Sequence, residues 1–244
     1  MFRISKSVVP SAFTVMNLMS GYLSILSTIN GKYSMAAYLI IIATLFDALD
    51  GKIARKLNQP SNFGLEFDSM ADIISFGVAP SVLLYKAFSG EWIVTGAIIA
   101  FMPLLFAGIR LARFNIHFKK HSNKFVGLPV PGMAMLHCSL VLFNFEVPYN
   151  MGAARIVIPL IILTSAMMIS HIPVDKFPHF SFKRDGKVNF ILWVLIVSAI
   201  LMVTFKGLVI FPISLLYVLF VIARWIVNNG KEEETEMVDS TIRE

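Results

Sequence analysis

Between Asp47 and Asp72 the chain reads DALDGKIARKLNQPSNFGLEFDSMAD, and four carboxylates, Asp47, Asp50, Asp68 and Asp72, lie there between apolar runs long enough to span a bilayer. An ionised Asp at membrane depth costs about 2.5 to 3.5 kcal/mol on insertion scales, so four of them require compensating cations or a water-filled cavity. Asp47 and Asp50 are three residues apart and Asp68 and Asp72 four apart. If each pair is helical, its members share a face one turn apart, and two such faces opposed make an oxygen-rich cage. Hard divalent cations such as Mg2+ or Mn2+ favour carboxylate oxygens, and two of them close together suit displacement at phosphorus. Gly51, Ala54 and Gly64 remove side-chain bulk beside the acids, and Arg55 adds a planar cation suited to phosphate. The expected chemistry is intramembrane phosphoryl transfer. The plainer reading of any one of these residues, a solvated helix end with a snorkelling Arg55, does not account for all of them together.

The elements that must hold these groups are membrane helices. Of 244 residues, 57% are hydrophobic and 15% charged, with a mean hydropathy of +0.74, a membrane composition that leaves a soluble core of this length a poor competitor. The expected fold is all-α and polytopic, with eight spans at about Val8–Ile29, Ser34–Leu57, Asn62–Phe88, Glu91–Phe114, Pro129–Phe145, Ala153–Ser170, Val188–Phe205 and Leu208–Val227. The first run lacks a cleavage-site pattern and is expected to be retained as a helix. NQPSN, with Pro60, breaks the pattern between the second and third spans, so both acidic pairs fall at similar distances from one hairpin tip.

The formal charge of +6 follows the membrane rather than a nucleic acid. With the N-terminus cytoplasmic, seventeen of the twenty-one Lys and Arg residues fall on inside segments, leaving Lys32, Lys86, Arg155 and Lys206 outside. This satisfies the positive-inside rule and puts both termini in the cytoplasm of a multi-pass cell-membrane protein. Arg110 and Arg113 lie one turn apart at the end of the fourth span, and the five positives from Arg110 to Lys124 have no acid among them, a basin suited to a lipid phosphate or an amino acid carboxylate. Ordinary anchoring of arginines at this depth is the competing reading. Cys138, the single cysteine, is expected to pack in the core, and His137 to be a hydrogen-bonded core histidine.

The pattern D-x2-D-G-x2-A-R-x8-G-x3-D-x3-D is matched at Asp47, Asp50, Gly51, Ala54, Arg55, Gly64, Asp68 and Asp72, and in this the chain resembles the CDP-alcohol phosphotransferases. The resemblance implies a six-helix membrane core, usually dimeric, in which an alcohol displaces CMP from a CDP-linked lipid. It further implies that the four aspartates ligate two divalent ions, Mg2+ or Mn2+, and that Asp72 also serves as general base. Gly51, Ala54, Arg55 and Gly64 would receive the CMP portion. Pro10, Thr14 and Asn17 fit the spacing of a segment that lines the nucleotide pocket in this family, although interhelical hydrogen bonding accounts equally for the polar residues.

Three further segments, SFGVAP after Asp72, LARFN ending the fourth span and F-x-GLPVPG opening the fifth, resemble the phosphatidylserine synthase branch. That implies CDP-diacylglycerol and L-serine as substrates, with Arg110, Arg113 and Lys124 binding the serine carboxylate or the lipid phosphate. A sibling using glycerol 3-phosphate or inositol phosphate is the alternative, since such acceptors also seek a basic basin. A divalent-cation transporter is a rival from another class, but it calls for acids spread across the membrane depth, whereas these cluster at one level. The expected organisation is a catalytic core over 1–172, a basic connection over 173–187, two additional helices within 188–228 and a polar tail over 229–244.

Overall fold

A computed structural model describes residues 8–57, 62–88, 90, 93–118, 127–146, 154–170, 211–216, 218–220 and 223. All regular structure among them is helical: α1 (Val8–Ile29), α2 (Tyr33–Leu57), α3 (Asn62–Asp72), a π-helical turn (Ile73–Val78), α4 (Ala79–Phe88), α5 (Ile93–Phe118), α6 (Val130–Glu146) and α7 (Ala154–Met167). Four helical stretches among the described residues are long and apolar enough to cross a membrane, namely Ala12–Ile29, Tyr33–Gly51, Phe63–Phe88 and Ile93–Ile116, and α6 and α7 contribute shorter apolar rods. A helix satisfies its backbone groups internally, which is what a bilayer demands of a spanning segment. The protein is thus a multi-pass membrane protein, with six rods among the described residues up to 170. The expected span over 188–205 lies outside the described residues.

Helix α6 is the axis of the bundle. Every residue from Leu136 to Leu142 is buried, so this helix, apolar all round, is enclosed by its neighbours. His137 Nε2 meets Thr164 Oγ1 of α7 at 2.9 Å, and Cys138 is buried among apolar side chains, so both fill the structural roles expected of them. Residues 211–216 pack on the same helix, with Ser139 Oγ and Ser214 Oγ 2.9 Å apart and the Phe143 and Phe211 rings 5.2 Å apart.

Small residues set the close approach of α1 and α2. Ala36, Ala37, Ile40 and Ala43 recur at helical spacing on the buried face of α2, and Ser24 Oγ of α1 donates to the Ala36 carbonyl at 2.9 Å. The hydroxyls of Ser20, Ser27 and Thr28 bond back to carbonyls four residues earlier, which satisfies them without water. The opposite side of α1 exposes Val15, Met19, Tyr22 and Leu26, as a surface facing lipid would.

Gly77 and Pro80 do not break the third span. They accompany a widened turn, closed by the Ala79 N–H bonding to the Ile74 carbonyl. Pro80 has no N–H to give and its ring presses on the turn before it, which is where the widening falls. The GLPVPG segment enters α6 through Gly127, at φ 87°, and the Leu128 N–H donates to the Met167 carbonyl at 3.2 Å. A side chain at 127 would run into the Met168 carbonyl, so this turn requires glycine.

Candidate functional site

The hairpin of α2 and α3 carries the acids. Asp47 and Asp50 lie one turn apart near the end of α2, and Asp68 lies in the second turn of α3. The structure brings these three together, with one carboxylate oxygen from each within 4.8 Å of the others. Asp50 is buried, and Asp68 has a buried Oδ1 without a hydrogen-bond partner. Buried carboxylates are normally hydrogen-bonded, so an unpartnered oxygen on a carboxylate grouped with two others fits a bound cation. The donor set is oxygen only, which suits a hard divalent metal.

Asp72 sits one turn beyond Asp68, at the end of α3, and is not part of the three-carboxylate group. It is buried, lies within electrostatic reach of Asp47, Asp50 and Asp68, and accepts a 3.0 Å hydrogen bond on Oδ1 from Asn17 Nδ2. The companion contact joins Thr14 Oγ1 to Asp50 Oδ2 at 2.5 Å. Thr14 and Asn17 are three residues apart on α1, and each reaches a different aspartate on a different helix. Helix α1 therefore flanks the acidic site, and Thr14 and Asn17 join it to the aspartates by interhelical hydrogen bonds.

On the α5 side, Arg110 is half-buried and within electrostatic reach of Asp72, and its buried Nε has no hydrogen-bond partner. Arg113 is exposed. Further along α5, Asn115 Nδ2 donates to Glu66 Oε2 at 3.3 Å and Asn115 Oδ1 accepts from Ser69 Oγ at 3.2 Å, which ties the end of α5 to α3. These three line a cleft of about 230 Å³ with Met70, Ile73 and Leu111. Gly51 lies near the end of α2 and Gly64 near the start of α3. The side chains of Ala54 and Arg55, and the whole of Lys124, lie outside the described residues.

Sequence spacing does not single out Ser75, Glu66 or Asn115. Ser75 donates from Oγ to the Asn17 carbonyl at 3.0 Å, a contact made across 58 positions. The only local signal for it is a small polar residue in the SFGVAP segment, and the only signal for Asn115 is its place in LARFN.

The fold and the site together define an integral membrane protein with an acidic, oxygen-only cage near the end of a helical hairpin, flanked by a half-buried arginine. Residues 7–174 match the CDP-alcohol phosphatidyltransferase family. The chain belongs to that family. It is 32% identical over 219 residues, covering 89% of this chain and 90% of the other, to a CDP-diacylglycerol–serine O-phosphatidyltransferase of Helicobacter pylori. It is also 39% identical over 172 residues, 68% of this chain and 69% of the other, to an archaetidylserine synthase of Methanothermobacter thermautotrophicus. A CDP-diacylglycerol–serine O-phosphatidyltransferase of Bacillus subtilis is 33% identical over 174 residues, 70% of this chain and 90% of the other.

Proposed function

We propose that this chain makes phosphatidylserine and CMP from CDP-diacylglycerol and L-serine. The observation that carries the reading is the convergence of Asp47, Asp50 and Asp68, with Asp72 held beside them, in a member of a family of phosphatidyl transferases. The choice of serine is supported by relatives from bacteria and archaea whose names specify serine transfer or archaetidylserine synthesis. None of these relatives is named for transfer to glycerol 3-phosphate or inositol phosphate.

In the reaction, the serine hydroxyl oxygen attacks the phosphorus that bears the diacylglycerol. A new P–O bond forms to serine, the P–O bond to CMP breaks, and CMP leaves with the electron pair. Asp72 takes the hydroxyl proton, since a carboxylate within hydrogen-bond reach lowers the barrier for an alcohol whose own pKa is far above 7. Asp47, Asp50, Asp68 and Asp72 would hold two divalent cations, Mg2+ or Mn2+, which would supply charge neutralisation for the diphosphate and the departing CMP. Thr14 and Asn17 line the CDP-lipid pocket from α1, and Gly51, Ala54, Arg55 and Gly64 line it from the hairpin. Arg110, Arg113 and Lys124 attract the serine carboxylate or the lipid phosphate, and the half-burial of Arg110 strengthens its share.

The active site and both termini face the cytoplasm, consistent with the distribution of Lys and Arg, and the protein works as a homodimer. The catalytic core on this reading comprises 1–172, while the connection 173–187, the tail 229–244 and most of 188–228, where two additional helices are expected, lie outside the described residues. Purified protein in detergent, given CDP-diacylglycerol, L-serine and Mn2+ or Mg2+, is expected to release CMP and convert serine into lipid. Excess chelator should stop turnover and added cation restore it. Undiminished CMP release in chelator would contradict the metal assignment.

A further inference from the structure

Asp72 is the carboxylate on which the proton transfer rests, and three contacts outside the acidic cage determine how it is held. Asn17 is fully buried, and its Nδ2 donates to Asp72 Oδ1. An amide nitrogen rather than an amide oxygen faces the carboxylate because two acceptors there would repel. The bond engages one oxygen of Asp72 and fixes the carboxylate against rotation, so that the second oxygen is presented in one direction.

Asn17 is itself held. Its carbonyl accepts from Ser75 Oγ at 3.0 Å, and Ser75 is buried in the π-helical turn that follows Asp72. A carbonyl has two lone pairs, so this bond adds to the helical one without replacing it. One turn along α1, a Cβ on Gly21 would lie 2.7 Å from Ser75 Cα, which puts the two backbones in direct contact. Asn17 and Gly21 are four residues apart, and Asp72 and Ser75 three apart, so each pair shares a helix face. The result is a ladder of two rungs, Gly21 against Ser75 and Asn17 against Asp72, the first setting the height of the second.

We infer that Asn17 is the positioning residue for Asp72, and that Ser75, seated against Gly21, fixes Asn17 in place to do so. This rests on the reading of Asp72 as general base, and it sharpens the role of Asn17. The amide nitrogen is engaged by Asp72, so Asn17 acts on turnover through that carboxylate in addition to lining the CDP-lipid pocket.

The test compares Asn17→Ala, Asn17→Asp and Ser75→Ala with Asp72→Asn in the full chain, measuring kcat and the KM for CDP-diacylglycerol and for serine. Loss of a hydrogen bond to a charged group is expected to lower kcat of Asn17→Ala by about 10- to 100-fold, a larger change than in either KM. Asn17→Asp keeps the shape but turns an acceptor toward Asp72, and kcat should fall further than in Asn17→Ala, a distinction that a packing role would not produce. Ser75→Ala removes one neutral donor and should lower kcat alone, by about 3- to 10-fold. This variant carries the test if the Asn17 variants do not fold. Unchanged kcat in Ser75→Ala, or a raised KM for CDP-diacylglycerol with kcat intact in Asn17→Ala, overturns the inference. Wild-type turnover in Asp72→Asn would remove the base assignment and this inference together. An inactive Asp72→Asn beside a fully active Asn17→Ala removes this inference only.

Discussion

One added methyl group, in Gly21→Ala, would strain the contact between α1 and the rod that carries Asp68 and Asp72. The new Cβ would lie 2.7 Å from Ser75 Cα and 3.0 Å from Ser75 Cβ, where ordinary contact begins at 3.4 Å. Ser75 Oγ lies closer still, but the Cα is backbone, so trimming Ser75 does not relieve the clash. The helices must separate locally by roughly 0.7 Å, the shortfall between those distances. A shift of that size would carry the Asn17 to Asp72 contact from 3.0 Å to about 3.7 Å, past hydrogen-bond range, and the Ser75 to Asn17 contact likewise. Thr14 to Asp50 joins α1 to α2, which this clash does not part, and would survive. Overpacking of this kind costs about 1–3 kcal/mol. Serine-dependent CMP release should therefore fall by about ten-fold or more, alongside a lower melting temperature in detergent, with CDP-lipid binding largely kept. Turnover and melting both equal to wild type would refute the tight α1 contact and the reasoning built on it.

Other perturbations separate the remaining roles. Asp72→Asn should abolish turnover while sparing CDP-lipid binding, because the amide cannot take the hydroxyl proton; normal turnover would show that the base lies elsewhere. Arg110→Ala should raise the KM for serine, and Arg113→Ala should do so by less, since Arg113 is exposed and Arg110 half-buried. If the serine dependence is unchanged in both, these residues are anchors. Thr164→Val strips His137 Nε2 of its partner in a fully buried site and should lower stability by about 1–3 kcal/mol with kcat intact, measured by thermal unfolding and CMP release.

Much of this arrangement was legible in the sequence because the bilayer imposes it. The length of the apolar runs fixes the rods, and the predicted first span, Val8–Ile29, coincides with α1. Pro60 and its polar neighbours separate the second and third spans, so the aspartate spacing was enough to predict opposed acidic faces. The fourth carboxylate behaves differently from the other three for a reason that spacing does not contain. Asp72 is drawn to Asn17, a residue 55 positions away on another helix. The widened turn after it was visible only as a Gly and a Pro in an apolar run, because a π-turn and an α-helical kink share those residues. Ser75 and Asn115 could not be singled out, since a serine or asparagine in a membrane helix more often bonds within its own helix or to a neighbour than at a site.

The central claim is that serine receives the phosphatidyl group here. The most direct measurement is CMP release and lipid product identity from purified protein with CDP-diacylglycerol and a divalent cation, comparing L-serine, glycerol 3-phosphate and inositol phosphate. CMP and phosphatidylserine are expected in equal amounts with serine, and neither with the other two acceptors. Release driven by glycerol 3-phosphate or inositol phosphate instead would contradict it.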